Sequence, residues 1–164
     1  MDTPTTVQLR KLVGIANYQF GKDAGAALFN KDTRITCSRR TGRIRHIYTR
    51  GRLIATLRPK DGFLALAPHG ALLILSKIKQ PPNVVVVQND VADFVRAGGD
   101  VFAKHVVRAD LGLRPAEEAI VINEEGVLLG VGKAILSGND MKFFKRGVAV
   151  RIRKGTNEPA GLDQ

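Results

Sequence analysis

The sequence predicts an α+β fold: a small basic α+β region, then a second small domain built as a mixed β-barrel. Three observations carry this. One amphipathic helix opens the chain. Short β-prone runs then recur at regular spacing, separated by turn signals. A Lys79-Gln80-Pro81-Pro82 segment interrupts them, and two prolines there demand extended chain. The domains read as 1–78 and 83–155, joined by a linker at 79–83, with a flexible tail at 156–164. No internal repeat relates the halves.

Residues 6–20 place Leu9, Leu12, Val13, Ala16 and Phe20 on one face of a helix. Thr5 or Thr6 caps its start after Pro4, and Gly21 ends it. A short second helix is expected over 23–29. Ile35-Thr36-Cys37-Ser38 is a β-prone run, and Thr41-Gly42 turns it into a second over 43–49. Simple alternation there puts Arg43, Arg45 and Ile47 on one face and Ile44, His46 and Tyr48 on the other. Arg50-Gly51 is a second turn, leading to strands at 53–57 and 63–66. Residues 68–75 suit a helix with proline in its first turn.

In the second half, Val84 to Val87 reads as a buried strand. Residues 90–97 read as an amphipathic helix, capped by Asn89 or Asp90, with Val91, Phe94 and Val95 inward. Gly98-Gly99-Asp100 breaks it, and 101–107 continues extended. Leu113-Arg114-Pro115 is a turn. Strands at 119–122 and 127–136 join through an Asn123-Glu124-Glu125-Gly126 hairpin signal. A short helix starts at Ser137. The last strand, 148–153, alternates Val148, Val150 and Ile152 against Ala149, Arg151 and Arg153.

The 164 residues carry 26 Lys and Arg, 15 Asp and Glu, and a formal charge of +11. Residues 1–82 hold fifteen of the cations and only four of the acids, so the whole excess sits there. Between Lys31 and Lys60 ten cations face Asp32 alone. Such asymmetry points to a polyanion, nucleic acid first, because neutralising phosphates releases counterions; a solvated basic surface is the bland alternative. The basic run is not a helix with an apolar face, which argues against a membrane surface.

Other functions are excluded or weakened. An apolar content of 44% excludes a disordered chain. No apolar run approaches the roughly 20 residues of a membrane span, and Met1-Asp2-Thr3-Pro4 is no signal peptide. A cytoplasmic protein is expected. Cys37 is the one cysteine, read as a buried inert thiol, and His46, His69 and His105 lack ligand spacing. No metal, cofactor or catalytic residue is expected. Gly130-Val131-Gly132-Lys133 is not a phosphate loop, since Val127 and Ala134 stand where Gly and Ser or Thr are needed. Those glycines mark a bulge or close strand packing. Glu117-Glu118 and Glu124-Glu125 have no reason to form a catalytic pair.

Arg39, Arg40, Arg43 and Arg45 flank one hairpin turn, and their guanidinium forks match phosphates. Arg151 and Arg153 share a strand face, which extends such a track or is simply exposed sheet. Aromatic content is 5%, without Trp; this favours reading the backbone and shape of a folded RNA over base stacking.

The order of features over about 83–154 resembles a PUA domain, an RNA-binding pseudobarrel. The residues are the Val-rich strand and helix, Gly98-Gly99-Asp100-Val101-Phe102-Ala103-Lys104-His105-Val106, Gly126-Val127-Leu128-Leu129-Gly130-Val131-Gly132, and Lys145-Arg146-Gly147-Val148-Ala149-Val150-Arg151-Ile152. Ser38-Arg39-Arg40-Thr41-Gly42-Arg43-Ile44-Arg45-His46-Ile47-Tyr48 and Leu53-Ile54-Ala55-Thr56-Leu57-Arg58-Pro59-Lys60-Asp61-Gly62 resemble the domain preceding PUA in archaeal tRNA-guanine transglycosylases, the archaeosine enzymes. The resemblance implies their RNA-docking appendage without the catalytic barrel. It implies an RNA face at the helix and the glycine loop, with Arg96, Gly98, Gly99, Lys104, His105 and Arg108 as candidates. The glycines admit a phosphate backbone to main-chain N–H groups; the compatible alternative is that they merely end the helix.

The expected function is noncatalytic binding of structured RNA, tRNA or rRNA and tRNA first, through a basic face shared by both domains. The alternatives are an accessory subunit or paralogue supporting archaeosine-type base exchange on another chain, and a ribosome-biogenesis interaction module.

Overall fold

The computed structural model describes residues 1–157. The chain divides into two compact units, Met1–Pro82 and Asn83–Gln164.

Unit 1 opens with α1 (Thr6–Phe20). Thr5 caps it: its hydroxyl accepts from the Gln8 amide at 3.1 Å while its own amide donates to Gln8 Oε1 at 2.9 Å. Gly21, at φ +89°, ends it. The turn into α2 (Ala24–Leu28) is held by Asn17 Oδ1, which accepts from the Gly25 amide at 2.7 Å. An antiparallel sheet follows in the order β1 (Thr33–Cys37), β2 (Ile44–Thr49), β3 (Arg52–Leu57), β4 (Leu64–Leu66). Helix α3 (Pro68–Lys77), with proline in its first turn, completes the unit. Leu12, Phe20, Leu28, Ile35, Ile47, Ile54, Leu64 and Ile74 are fully buried.

The alternation expected in β2 is corrected by a bulge. Thr36 pairs with His46, but Cys37 pairs with Ile44, so Arg45 is an extra residue. A bulge reverses the inside–outside phase. Ile44 and Ile47 therefore both point inward, while Arg43 and Arg45 stay exposed and do not share the face of Ile47. Cys37 is half-buried, not buried.

Unit 2 is a PUA-like pseudobarrel. Its six strands run in the order β6 (Val101–Phe102), β10 (Val148–Gly155), β9 (Leu128–Ala134), β8 (Glu118–Asn123), β5 (Val84–Val87), β7 (Val106–Ala109). Among the described residues only β5 and β8 pair parallel. Asn123 Oδ1 accepts from the amides of Glu125 and Val127 and so shapes the β8–β9 turn. Helices α4 (Ala92–Arg96) and α5 (Gly138–Met141) complete the unit, and Val85, Val95, Val121, Leu129, Met141 and Val150 sit in its core. Gly132 lies where a Cβ would overlap the Arg151 carbonyl, so close strand packing explains the glycine.

Two further expectations change here. Ala149 and Val150 are both buried, because β6 pairs Phe102 with Val148 but Val101 with Val150, leaving Ala149 as a bulge. Phe94 is 54% exposed, and Ala92 and Val95 form the inward face. A 3₁₀ turn over Asn89–Val91 precedes α4, and its tighter winding rotates the phase. Of the tail, Thr156 donates to Leu129 O and Asn157 to Arg96 O, at 3.0 Å each, so these two are anchored. Residues 158–164 lie outside the described residues.

Candidate nucleic-acid interface

In unit 1 the β1–β2 hairpin turns through Ser38–Arg43. The Ser38 amide donates to Arg43 O and the Gly42 amide to Ser38 O, both at 2.8 Å. Gly42 has φ +70°, a conformation that glycine adopts without strain. One side of the hairpin bounds a cleft of about 680 Å³. Its cations are Lys11 from α1, Arg40, Arg43 and Arg45 from the hairpin, and Arg58 from the β3–β4 turn; among the described residues no carboxylate lines it. Arg58 also bonds Asp61 at 3.1 Å. Arg40, Arg43 and Arg45 have no ion-pair partner among the described residues, and neither does Arg39, which lies exposed at the turn outside the cleft lining. Three of the four hairpin arginines are thus brought together. Lys11 and Arg58 join them only in three dimensions. Their sequence signal was weak: a polar position on α1, and an Arg-Pro-Lys turn.

In unit 2 a smaller cleft of about 260 Å³ lies between α4 and β6, lined in part by Phe94, Asp100, Phe102, Lys104 and His105. Lys104 is exposed, and His105 Nδ1 lies 3.2 Å from Gln88 Oε1. Arg108 is exposed farther along β7, and Arg151 is exposed on β10; neither lines this cleft. Arg96 bonds Asp93 at 3.0 Å. The glycine-loop reading is corrected in one respect. Gly98 N–H donates to Val95 O and Gly99 N–H to Phe94 O, both at 2.9 Å, so these amides cap α4 rather than face outward as free donors. Gly98, at φ +100°, ends the helix, and the Phe94 ring covers Gly99, where a Cβ would collide with it.

Arg153 is the extra residue of a second bulge in β10. Ile152 pairs with Gly132 and Lys154 with Val131. From there its guanidinium donates to both oxygens of Glu118, a carboxylate only 2% exposed. Glu118 is therefore a buried structural acid.

Low aromatic content conceals where the aromatics are. Tyr18, Phe94, Phe102, Phe143 and Phe144 are all exposed, five of the chain's nine aromatic residues. Phe143 and Phe144 stand among Lys142, Lys145 and Arg146, all exposed. Composition alone hid this placement.

Two family models match the chain: the patch-forming domain C2 of tRNA-guanine transglycosylase over residues 10–81, and the PUA domain over residues 83–156. The chain is a transglycosylase-type C2 domain followed by a PUA domain. It is 40% identical over 159 residues to the tRNA-guanine(15) transglycosylase of Thermococcus kodakarensis, covering 96% of this chain and 27% of that one. It is 43% identical over 147 residues to that of Methanobrevibacter smithii, covering 90% and 22%. The C2–PUA chain thus spans about a quarter of the length of these archaeal relatives, their noncatalytic C-terminal part. Its fold is similar to a hypothetical protein of Pyrococcus horikoshii (TM-score 0.77, 20% identity, 95% of this chain and 94% of that one). It is also similar to a conserved PUA domain protein of Thermoplasma acidophilum (TM-score 0.70, 16% identity, 96% and 94%). Among the described residues no helix is long and apolar enough to cross a membrane, and no three His, Cys, Asp or Glu gather as a metal site.

Proposed function

We propose that the C2–PUA chain binds structured RNA, tRNA in particular, as a noncatalytic docking protein. Basic surface on each domain contributes. The observation that carries the reading is the unit 1 cleft, five cations with no lining carboxylate among the described residues. In that geometry phosphate oxygens replace the counterions that the cations otherwise condense. In the PUA domain Arg96, Lys104, His105, Arg108 and Arg151 supply further cationic and donor groups, while Gly98-Gly99 end the helix that carries Arg96. Arg153 acts mainly by holding its strand to Glu118.

A second reading has one observation in its favour, the 40% identity to tRNA-guanine(15) transglycosylases. In it the same docking surface serves base exchange catalysed on another chain. Co-purification with a barrel-containing partner distinguishes it.

The test is titration of the protein against folded tRNA, unstructured RNA and duplex DNA of equal charge, from low to physiological salt. Preference for tRNA that persists at physiological salt is expected. Equal, weak binding to all three that vanishes with salt would reduce the +11 to a nonspecific field.

A further inference from the structure

We propose that Tyr18 and Phe63 form a stacking platform for an unpaired RNA base whose neighbouring phosphates lie in the unit 1 cleft. The proposal rests on the RNA-binding reading above and adds to it a base-contacting site.

The two rings stack with centroids 5.9 Å apart and planes within 9°. Tyr18 is 80% exposed, so one of its faces covers little protein. An exposed aromatic ring gains from any planar apolar surface laid against it, and a nucleobase offers that surface whatever its sequence.

Two elements lead from the cleft to the platform. Gln8 and Lys11 line the cleft from α1. Tyr18 lies seven residues beyond Lys11, which returns it to the same helix face about 10 Å along the axis. From the other side, Phe63 follows Gly62, itself part of the cleft wall, and Phe63 O accepts from the amide of Arg58 at 2.9 Å. Both α1 and the β3–β4 turn therefore carry a cation of the cleft and, farther along, one ring of the pair.

The platform is also held in place. Gln19 Nε2 donates to Leu64 O at 3.1 Å, and Gln19 Oε1 accepts from the Leu64 amide at 2.7 Å. This two-way clamp joins the residue after Tyr18 to the residue after Phe63. A pre-formed platform costs little ordering on binding. Charge selects the occupant. A second copy of this +11 chain would bring cations toward Lys11 and Arg58, whereas a nucleic-acid strand brings phosphates and bases together.

The test compares two RNAs, a blunt hairpin and the same hairpin with a short unpaired 3′ extension, against the full chain. The wild type is expected to prefer the extended RNA. Tyr18→Ala is expected to lose that preference, roughly five- to a hundredfold in Kd for one stacked base. The blunt hairpin's affinity and salt slope are expected to stay unchanged, and Tyr18→Phe to retain the preference. Tyr18 is exposed, so the alanine variant is expected to fold, and its thermal midpoint verifies that. The platform alone is overturned if the wild type binds both RNAs equally, if Tyr18→Ala keeps the preference or weakens both RNAs alike, or if only self-association changes. If neither RNA binds at physiological salt, the RNA reading fails and the platform fails with it.

Discussion

Arg153 donates to both carboxylate oxygens of Glu118, at 2.6 Å and 3.0 Å, from the bulge of the last strand. The pairing joins β10 to β8 across β9. Glu118 is almost wholly buried, while the Arg153 side chain is 37% exposed, so solvent screens one partner only. Replacing Arg153 by Ala removes a forked donor from a buried carboxylate. The expected loss is about 2 kcal/mol, below the full cost of orphaning a buried charge because water reaches the site. Chemical denaturation of Arg153→Ala measures it. Arg153→Met combined with Glu118→Gln is expected to recover part of the loss, since no charge is then left buried. A double variant less stable than Arg153→Ala would contradict this account.

Gly132→Ala tests the strand packing behind the same bulge. Its Cβ would overlap the Arg151 backbone carbonyl, which cannot swing aside as a side-chain tip can. Backbone displacement in a packed sheet is expected to cost about 2 kcal/mol or more. A wild-type thermal midpoint in Gly132→Ala would show that β10 has room to move there.

What the sequence revealed follows how local each feature is. Helix α1 was legible over 6–20, with its cap narrowed to Thr5 or Thr6, because cap, apolar period and terminator all lie within or beside its own span. The faces of Ile47 and Ala149 were misread because bulges at Arg45 and Ala149 invert the alternation, and a bulge depends on the partner strand. Phe94 was misread because a 3₁₀ turn rotated its helix. At the site, the hairpin arginines were legible from charge density over thirty residues. Lys11 and Arg58 were not, since only the packing of α1 and the β3–β4 turn brings them to the cleft. Tyr18 and Phe63 are 45 residues apart, and nothing local marks them as a pair.

His69 is expected to make unit 1 sensitive to acid. Burial, and then the nearby charge of Arg52, hold its imidazole below the ordinary value of 6.5. Its Nδ1 is buried without a hydrogen-bond partner. The folded state therefore favours neutral His69, while the unfolded chain takes up a proton near pH 6.5. The resulting stability is present above that pH and is lost as pH falls toward the depressed value. Thermal midpoints between about pH 7.5 and about pH 5 are expected to fall less steeply for His69→Gln than for the wild type. His46 and His105 remain in both proteins, so the difference isolates His69. Identical slopes would contradict the assignment.

The arginine hairpin supplies the most direct test of the interface. Replacing Arg39, Arg40, Arg43 and Arg45 together by Gln removes four cations that have no ion-pair partner among the described residues. The fold has little reason to respond, because all four are exposed. RNA binding does. Each phosphate contact contributes about 0.7–0.9 to the slope of log K against log salt, so the quadruple variant is expected to lose about three units. Single variants divide the effect. Arg40, Arg43 and Arg45 line the cleft and Arg39 does not, so Arg39→Gln is expected to change the slope least. An undiminished slope in the quadruple variant would mean that RNA, if bound, is held elsewhere on the molecule.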